Sequence, residues 1–435
     1  MAIDAGSARG FWCLSRGMRA LLSLPGSAYR YRRAAGLVAL GIVFEVLSGP
    51  TRAQAPIRIV GSLSITGTYA ELGKSHERGY RVCLKQVNDR GGVIGRKVEF
   101  NFEDDQSQAA TAAAIYEKLL AGGKVDAVFS PYSSPLTDAV ANVTEKYRVP
   151  MVAAGAATTA IFKKGRKYAF MLLSPAEVYL EGLIDVAAKR GLKTVAIVYE
   201  TTLFPTAIAQ GTIDLAKKRG LQVVVFEGYP AKTTDFSAIL NKVKAANPDV
   251  VAAATYFNDS VAIIRQMKDL DVNPRMSGVT VGGDLPKFYE TLNRAAEFVY
   301  GASQWEAELV TLRAGGLIPI ARLYPGAREF VEDHEKMFPG AGVSYQTAGA
   351  FGACQVLMEG IKRAGSLDRE RVRDAILKFD GSTVFGSFRL DQDGFQISHK
   401  MQLFQWQDGK KIIVWPEDIA PGRPRFPTPP WSERK

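Results

Sequence analysis

Short apolar runs alternate with helically spaced stripes along most of the chain. Ile57 to Val60 is a β-branched run of the kind that forms a buried parallel strand. A loop holding Gly61, Gly67 and Gly73 follows it. Tyr80, Leu84 and Val87 then fall on one face of a predicted helix, which Gly91-Gly92 stops. Val98 to Phe102 reads as a second strand ending in Glu103-Asp104-Asp105, and Ala109 to Leu120 as a second helix. Strand, loop, helix, strand, helix is a doubly wound α/β unit. Ligands of such sheets bind beyond the C-terminal strand ends, so loop 61–75 is expected to line a site.

The rhythm continues. Val125 to Phe129, Val149 to Ala153 and Phe170 to Leu173 read as strands. Their loops are Ser130-Pro-Tyr-Ser-Ser-Pro and the small-residue stretch from Gly155. A second series starts at Ser174-Pro175, with strands at 195–199, 223–227, 250–254 and 276–279 and helices between them. Its period repeats the first without repeating its sequence. Two similar α/β lobes joined by several crossings are implied. The crossings are expected near Leu173–Ala176, Ala302–Trp305 and Lys400–Gln402. One lobe is assigned 56–173 and 305–400, and the other 174–304 and 401–420. Residues 314–326 read as an irregular bridge. Val384 to Leu390 and Met401 to Trp406 read as strands flanking an Asp391-Gln-Asp-Gly turn. The proline-rich stretch 421–435 reads as a solvated tail.

The first 53 residues differ in kind. Six arginines between Arg9 and Arg33 precede the apolar run Ala34 to Leu47, and small residues surround Ala53 and Ala55. That is the layout of an export signal, with cleavage expected after Ala53 and a periplasmic product. The apolar run is short and carries Glu45, which argues against a membrane span. The segment also distorts the charge. The chain has 55 basic and 44 acidic residues, but residues 1–53 hold seven arginines and two acids, which leaves 48 and 42, or +6. No basic stripe with interleaved aromatics stands out, so nucleic acid is not an expected partner. Hydrophobic residues make up 47% of the 435, enough for two cores.

Candidate chemistry is sparse. Gly73-Lys74-Ser75 follows a strand, but its preceding glycine is Gly67, one residue too far for a phosphate-binding loop. Ser133 and Ser134 lack a nucleophile elbow. His76, His334 and His399 have no evident nucleophile nearby. Asp104-Asp105 reads as a solvated strand end or a helix cap. Neither a metal site nor a cofactor is expected. Cys83 and Cys354 both fall on helix-patterned segments, where they are either two inert thiols or a pair. The first and late helices of a flavodoxin-like lobe lie side by side, so an approach of the two is expected.

An ordered set of motifs resembles the leucine/isoleucine/valine-type periplasmic binding proteins, the solute receptors of ABC importers. It begins Ser64-x-Thr66-Gly67, Tyr69-Ala70-x-x-Gly73, Val87-Asn88-x-x-Gly91-Gly92-Val93-x-Gly95-Arg96-Lys97-Val98, and Asp104-Asp105. It continues with Asn247-Pro248-Asp249, Tyr345-Gln346-Thr347-Ala348-Gly349, and Phe385-Gly386-Ser387-Phe388-Arg389-Leu390-Asp391. The resemblance spans roughly residues 56–416. It implies a type I periplasmic-binding fold, two doubly wound Rossmann-like lobes joined by three hinge crossings. It also implies no catalysis, an ABC permease in the inner membrane as partner, and a monomer. By the same resemblance, the ligand carboxylate meets Ser133 and Ser134 and the loop of Ala156, Ala157 and Thr158. Phe204 and Tyr256 face it from the other lobe, and Leu72 covers it. The loop after strand 276–279 carries an acid in amino-acid-binding members. Here the matching position falls on Val281 or Gly282, with Asp284 two or three residues late.

The ligand expected from these residues is a small carboxylate with an apolar or aromatic body, because an ammonium buried without a partner is costly. A branched-chain amino acid remains the alternative if Asp284 reaches the cleft. An enzyme on a doubly wound fold, and a cytoplasmic ligand-sensing regulator, are further readings. The regulator lacks a helix-turn-helix before residue 56.

Overall fold

Strand β8, Val250–Ala254, is buried along its whole length, and that burial follows from its place in the centre of a sheet covered on both faces. The computed structural model describes residues 54–311 and 324–434, the side chain of Thr311 excepted. The expected export segment and most of the expected bridge at 314–326 lie outside the described residues. Among the described residues no helix is long and apolar enough to cross a membrane.

One sheet orders β7 (Gln222–Tyr229), β6 (Thr194–Glu200), β8, β9 (Met276–Val279) and β10 (Tyr300–Ser303) in parallel. It is completed by β13 (Gln402–Gln407), antiparallel to β10, and β14 (Lys410–Trp415), antiparallel to β13. The other lobe orders β2 (Val98–Asp104), β1 (Ile57–Leu63) and β3 (Ala127–Val128). A parallel bridge from Tyr132 to Gly155 carries it toward β4 (Met151–Ala153) and β5 (Ala169–Met171). Both parallel cores therefore share the doubly wound order 2-1-3-4-5, with switch points between β1 and β3 and between β6 and β8. The loops beyond those strand ends face each other across the cleft.

The chain passes between the lobes three times, after β5, after β10 and before β13. Gln304 ties these passages together. Its Oε1 accepts from Ser174 N at 2.7 Å, and its carbonyl lies 3.0 Å from the His399 ring. At the far side of the first lobe, helix Ala70–Asp89 packs on helix Tyr345–Ala364. A Cβ on Gly79 would sit 2.1 Å from Thr347 O, so the alanine- and glycine-rich face is what lets the axes approach. One turn on, Cys83 and Cys354 form a disulfide with Cα atoms 6.4 Å apart.

Two expectations need correction. Residues 384–390 and 401–406 do not form a hairpin about Asp391. Gly381–Thr383 (β11) and Gly386–Phe388 (β12) pair with each other, while β13 pairs with β10 and β14 in the second lobe. The turn instead returns to β5, with Met171 N donating to Gly394 O at 2.8 Å. Nor is the proline-rich tail solvated. Trp431 is buried and donates from Nε1 to Val272 O at 2.7 Å, and Phe426 lies within 5.3 Å of the Arg190 and Arg275 guanidinium carbons. Prolines deny this stretch a regular structure, but its rings find apolar surface on the second lobe.

Candidate ligand-binding cleft

On the first lobe the cleft wall begins with a fixed loop. Asp105 is buried and accepts from Ser62 Oγ at 2.8 Å and Ser64 Oγ at 2.6 Å. Asp104 accepts from Ile65 N at 3.0 Å. The acid pair is therefore a fastener for loop 61–67, and Asp105 is not solvated. Gly73 lies inside helix Ala70–Asp89, where no phosphate cradle can form.

Beyond β3, Ser133 caps helix Ser134–Lys146 at φ 83°, its hydroxyl facing Leu136 N at 3.5 Å. Ser134 Oγ accepts from Ala157 N at 3.3 Å and from Thr158 Oγ1 at 3.0 Å. The two small-residue loops thus lock to each other at the N-terminus of a 13-residue helix, where free N–H groups and the helix dipole favour an anion. Leu72, Ser133, Ser134, Ala156, Ala157 and Thr158 are all buried here.

The second lobe supplies rings. Tyr256 precedes helix Phe257–Asp269, and Phe204 stands in the first turn of helix Leu203–Arg219. Ring centroids run from Tyr179 to Phe204 at 5.0 Å, to Tyr256 at 5.7 Å, and across the cleft to Tyr69 at 4.9 Å. Burial pushes the Tyr256 hydroxyl far above its ordinary range, so it stays protonated. Between the lobes lies an enclosed cavity of about 10 Å³, room for roughly one water molecule. His76, Tyr132, Ala154, Gly155, Leu173, Tyr345 and Gln346 line it from the first lobe. Tyr179, Phe204, Tyr256 and Val281 line it from the second.

Acids stand back from this cavity. Asp284 is completely buried and accepts from Gln346 Nε2 at 3.3 Å through Oδ1. Burial pushes its carboxyl up to about 6, against the nearby Lys411 and with the nearby Glu306. Lys411 Nζ pairs with Glu306 at 2.5 Å. Deeper in the second lobe, burial and then Glu200 push Asp259 up to about 7, and Asp259 accepts from the Tyr229 hydroxyl at 3.1 Å. Among the described residues no group of three or more His, Cys, Asp and Glu is placed to hold a metal ion.

Of the residues singled out in the sequence, Phe204, Tyr256 and Val281 line the cavity itself, whereas Leu72, Ser133, Ser134, Ala156, Ala157 and Thr158 are buried but do not line it. Nor does Gly282. It sits at φ 88° with a Cβ position 2.6 Å from Phe257, and its neighbour Val281 takes the wall. Asp284 does not line the cavity, but it bonds Gln346 and its charge acts on the lining tyrosines Tyr132, Tyr179 and Tyr345. Sequence reasoning missed His76, Tyr132, Leu173, Tyr179, Tyr345 and Gln346. Leu72 does carry a signal for one of them, since His76 follows it by one helical turn.

Residues 56–411 match the family profile described as periplasmic binding protein. The chain is 26% identical over 406 residues to Leu/Ile/Val-binding protein homolog 7 of Brucella suis biovar 1, covering 90% of this chain and 99% of that one. The fold matches LivJ of Streptococcus pneumoniae, solved in complex with isoleucine, with a TM-score of 0.71 and 20% identity over 82% of this chain and 97% of that one. It also matches an ABC-transporter solute-binding protein of R. palustris, solved in complex with benzoate, with a TM-score of 0.71 and 18% identity over 84% and 97%.

Proposed function

Given that the chain belongs to the periplasmic binding protein family, non-catalytic solute receptors of ABC transporters that work outside the cytoplasm, we propose that it captures a small carboxylate with an apolar or aromatic body, other than an α-amino acid, and delivers it to a permease in the inner membrane. The observation that carries this reading is Val281 on the cavity wall, with the nearest acid of that loop, Asp284, withdrawn behind Gln346. An ammonium held there would lack a charged partner, at a cost of several kcal/mol. The serine and threonine hydroxyls at the helix N-terminus suit the carboxylate, with the Phe204 and Tyr256 rings as flat walls for the body. Isoleucine and benzoate, the ligands of two structural neighbours, share a carboxylate and an apolar body. A cavity of about 10 Å³ is far too small for such a ligand, so the lobes must part to admit it, by hinge motion at the three crossings.

A branched-chain amino acid is the second reading, favoured by the proximity of Asp284 to the cavity. Thermal shift decides between them. At 100 times its dissociation constant a ligand stabilises by about 2.7 kcal/mol. Benzoate, phenylpropanoate or branched aliphatic acids should raise the melting temperature. Shifts by leucine, isoleucine, valine or phenylalanine alone would overturn the reading. The proposal includes removal of residues 1–53 on export, and N-terminal sequencing of exported protein should start near Gln54. A sequence starting within residues 1–10 would refute that part.

A further inference from the structure

Two side chains on the cavity wall have no use in the reading just given. His76 is fully buried in the middle of the first helix, and neither ring nitrogen has a hydrogen-bond partner among the described residues. Gln346 is 1% exposed and stands at the start of the late helix. Its Nε2 donates one N–H to Asp284, and its Oε1 has no partner among the described residues. Both line the same cavity. The Tyr256 hydroxyl, on the second lobe's side of the cavity, likewise has no partner among the described residues. Buried polar atoms without partners are rare, and their convergence on one cavity requires an explanation.

Packing alone does not supply one. The His76 ring meets Tyr132 edge-on at 5.0 Å and Tyr80 at 6.0 Å, contacts that a phenylalanine would make without leaving two nitrogens dry. Room has been made for it as well. A Cβ on Gly155 would sit 2.7 Å from the ring, so residue 155 must stay bare for the imidazole to occupy the wall.

The chemistry of the pair is asymmetric. Burial drives His76 down to about 3, so at neutral pH the ring is uncharged and offers one N–H and one lone pair. Gln346 Oε1 offers only lone pairs. The orientation of that amide follows from its neighbour, since only the Nε2 end can donate to the Asp284 carboxylate. His76 and Gln346 therefore present an imidazole N–H and lone pair beside the lone pairs of an amide oxygen. A carboxylate brings acceptors only and would leave Gln346 Oε1 dry. An ammonium brings donors only, which suit Gln346 Oε1 and the imidazole lone pair but leave the His76 N–H dry. A hydroxyl donates once and accepts, so a single group can meet Gln346 Oε1 and one of the His76 nitrogens.

Building on the carboxylate reading above, we propose that His76 and Gln346 form a subsite for a hydroxyl group, and that the ligand is a small hydroxylated carboxylate. The carboxylate lies toward Ser133, Ser134 and Thr158, and the hydroxyl lies between the His76 ring and Gln346 Oε1.

The test uses matched pairs and the processed chain. Affinities are measured by calorimetry for benzoate and para-hydroxybenzoate, for phenylpropanoate and its para-hydroxyphenyl counterpart, and for isocaproate and leucic acid. In at least one pair the hydroxylated member should bind about tenfold tighter or better, the gain expected when buried polar groups acquire a partner. Within that pair the ratio should fall to about twofold or less in Gln346→Leu and in His76→Phe, each confirmed folded by circular dichroism. Wild-type ratios within about twofold for every pair that binds would overturn the subsite and leave the carboxylate reading standing. A hydroxyl preference that survives in both variants would overturn it too. If neither member of any pair binds while leucine or phenylalanine does, the carboxylate reading itself falls, and the subsite with it.

Discussion

Replacing Asp284 by asparagine removes an ionisable group from a completely buried position while keeping its shape. The carboxyl rises from an ordinary 3.8 to about 6, chiefly through burial. Between those two values the folded protein holds a proton that the unfolded chain has released. Stability therefore falls as pH rises through this window and is level outside it. At 1.36 kcal/mol per pH unit, the full fall due to this group is about 3 kcal/mol, of which about 2 kcal/mol lies between pH 4.5 and 7.5. An asparagine side chain does not titrate, so the Asp284→Asn variant should gain on wild type by about 2 kcal/mol over that interval. Urea unfolding at both pH values, followed by circular dichroism, measures the difference. Other buried acids, such as Asp259, titrate in both proteins and largely cancel. Binding gives a second readout. A carboxylate ligand without an ammonium should keep its affinity for the variant within about twofold, whereas an amino acid paired by Asp284 would lose the 2–5 kcal/mol typical of a broken buried charge pair. Stability curves that stay parallel from pH 4.5 to 7.5 would refute the assignment of Asp284 as a dry, penalised carboxyl.

Three further outcomes follow from the packing. Cys83→Ser opens a cystine that joins residues 271 apart, and it should cost about 2–5 kcal/mol, seen as a fall in melting temperature that reductant reproduces in wild type. Ser134→Ala leaves Ala157 N–H and the Thr158 hydroxyl without their acceptor, and should cost about 1–3 kcal/mol in urea unfolding even without ligand. Gly79→Ala pushes a methyl group into Thr347 O at the helix contact, and should cost about 1–3 kcal/mol by the same assay.

The fold was legible because its signals are local and periodic. Val250 to Ala254 is apolar throughout because both faces of β8 are covered, and that shows without knowing which strands flank it. The approach of Cys83 to Cys354 was also legible, once the first and last long helices of one lobe are placed side by side. The stretch 384–406 was less legible. Its two strands are close in sequence and turn-linked, as in a hairpin, but a crossing intervenes and they join different sheets. Turn chemistry fixes a reversal of the chain, not the partner of each strand. The tail misled for a related reason. Proline content speaks against helix and sheet, yet says nothing of whether Phe426 and Trp431 find a surface to cover.

The cleft divides along the same line. Ser133, Ser134, Phe204 and Tyr256 lie just past strand ends, where a doubly wound sheet must place its binding loops, so position alone marks them. His76 and Gln346 are in helices, and at helical spacing they read as ordinary face residues. What distinguishes them is an absence, polar atoms that the fold buries without pairing, and only the assembled structure displays it. Satisfied polar groups are the rule in a core, so local sequence cannot tell a paired histidine from an unpaired one. The expected binding-loop residues are thus fixed by topology. The unpaired atoms of His76 and Gln346 are instead fixed by tertiary packing, and Gly155, bare beside the His76 ring, is the position whose lack of a Cβ admits the imidazole.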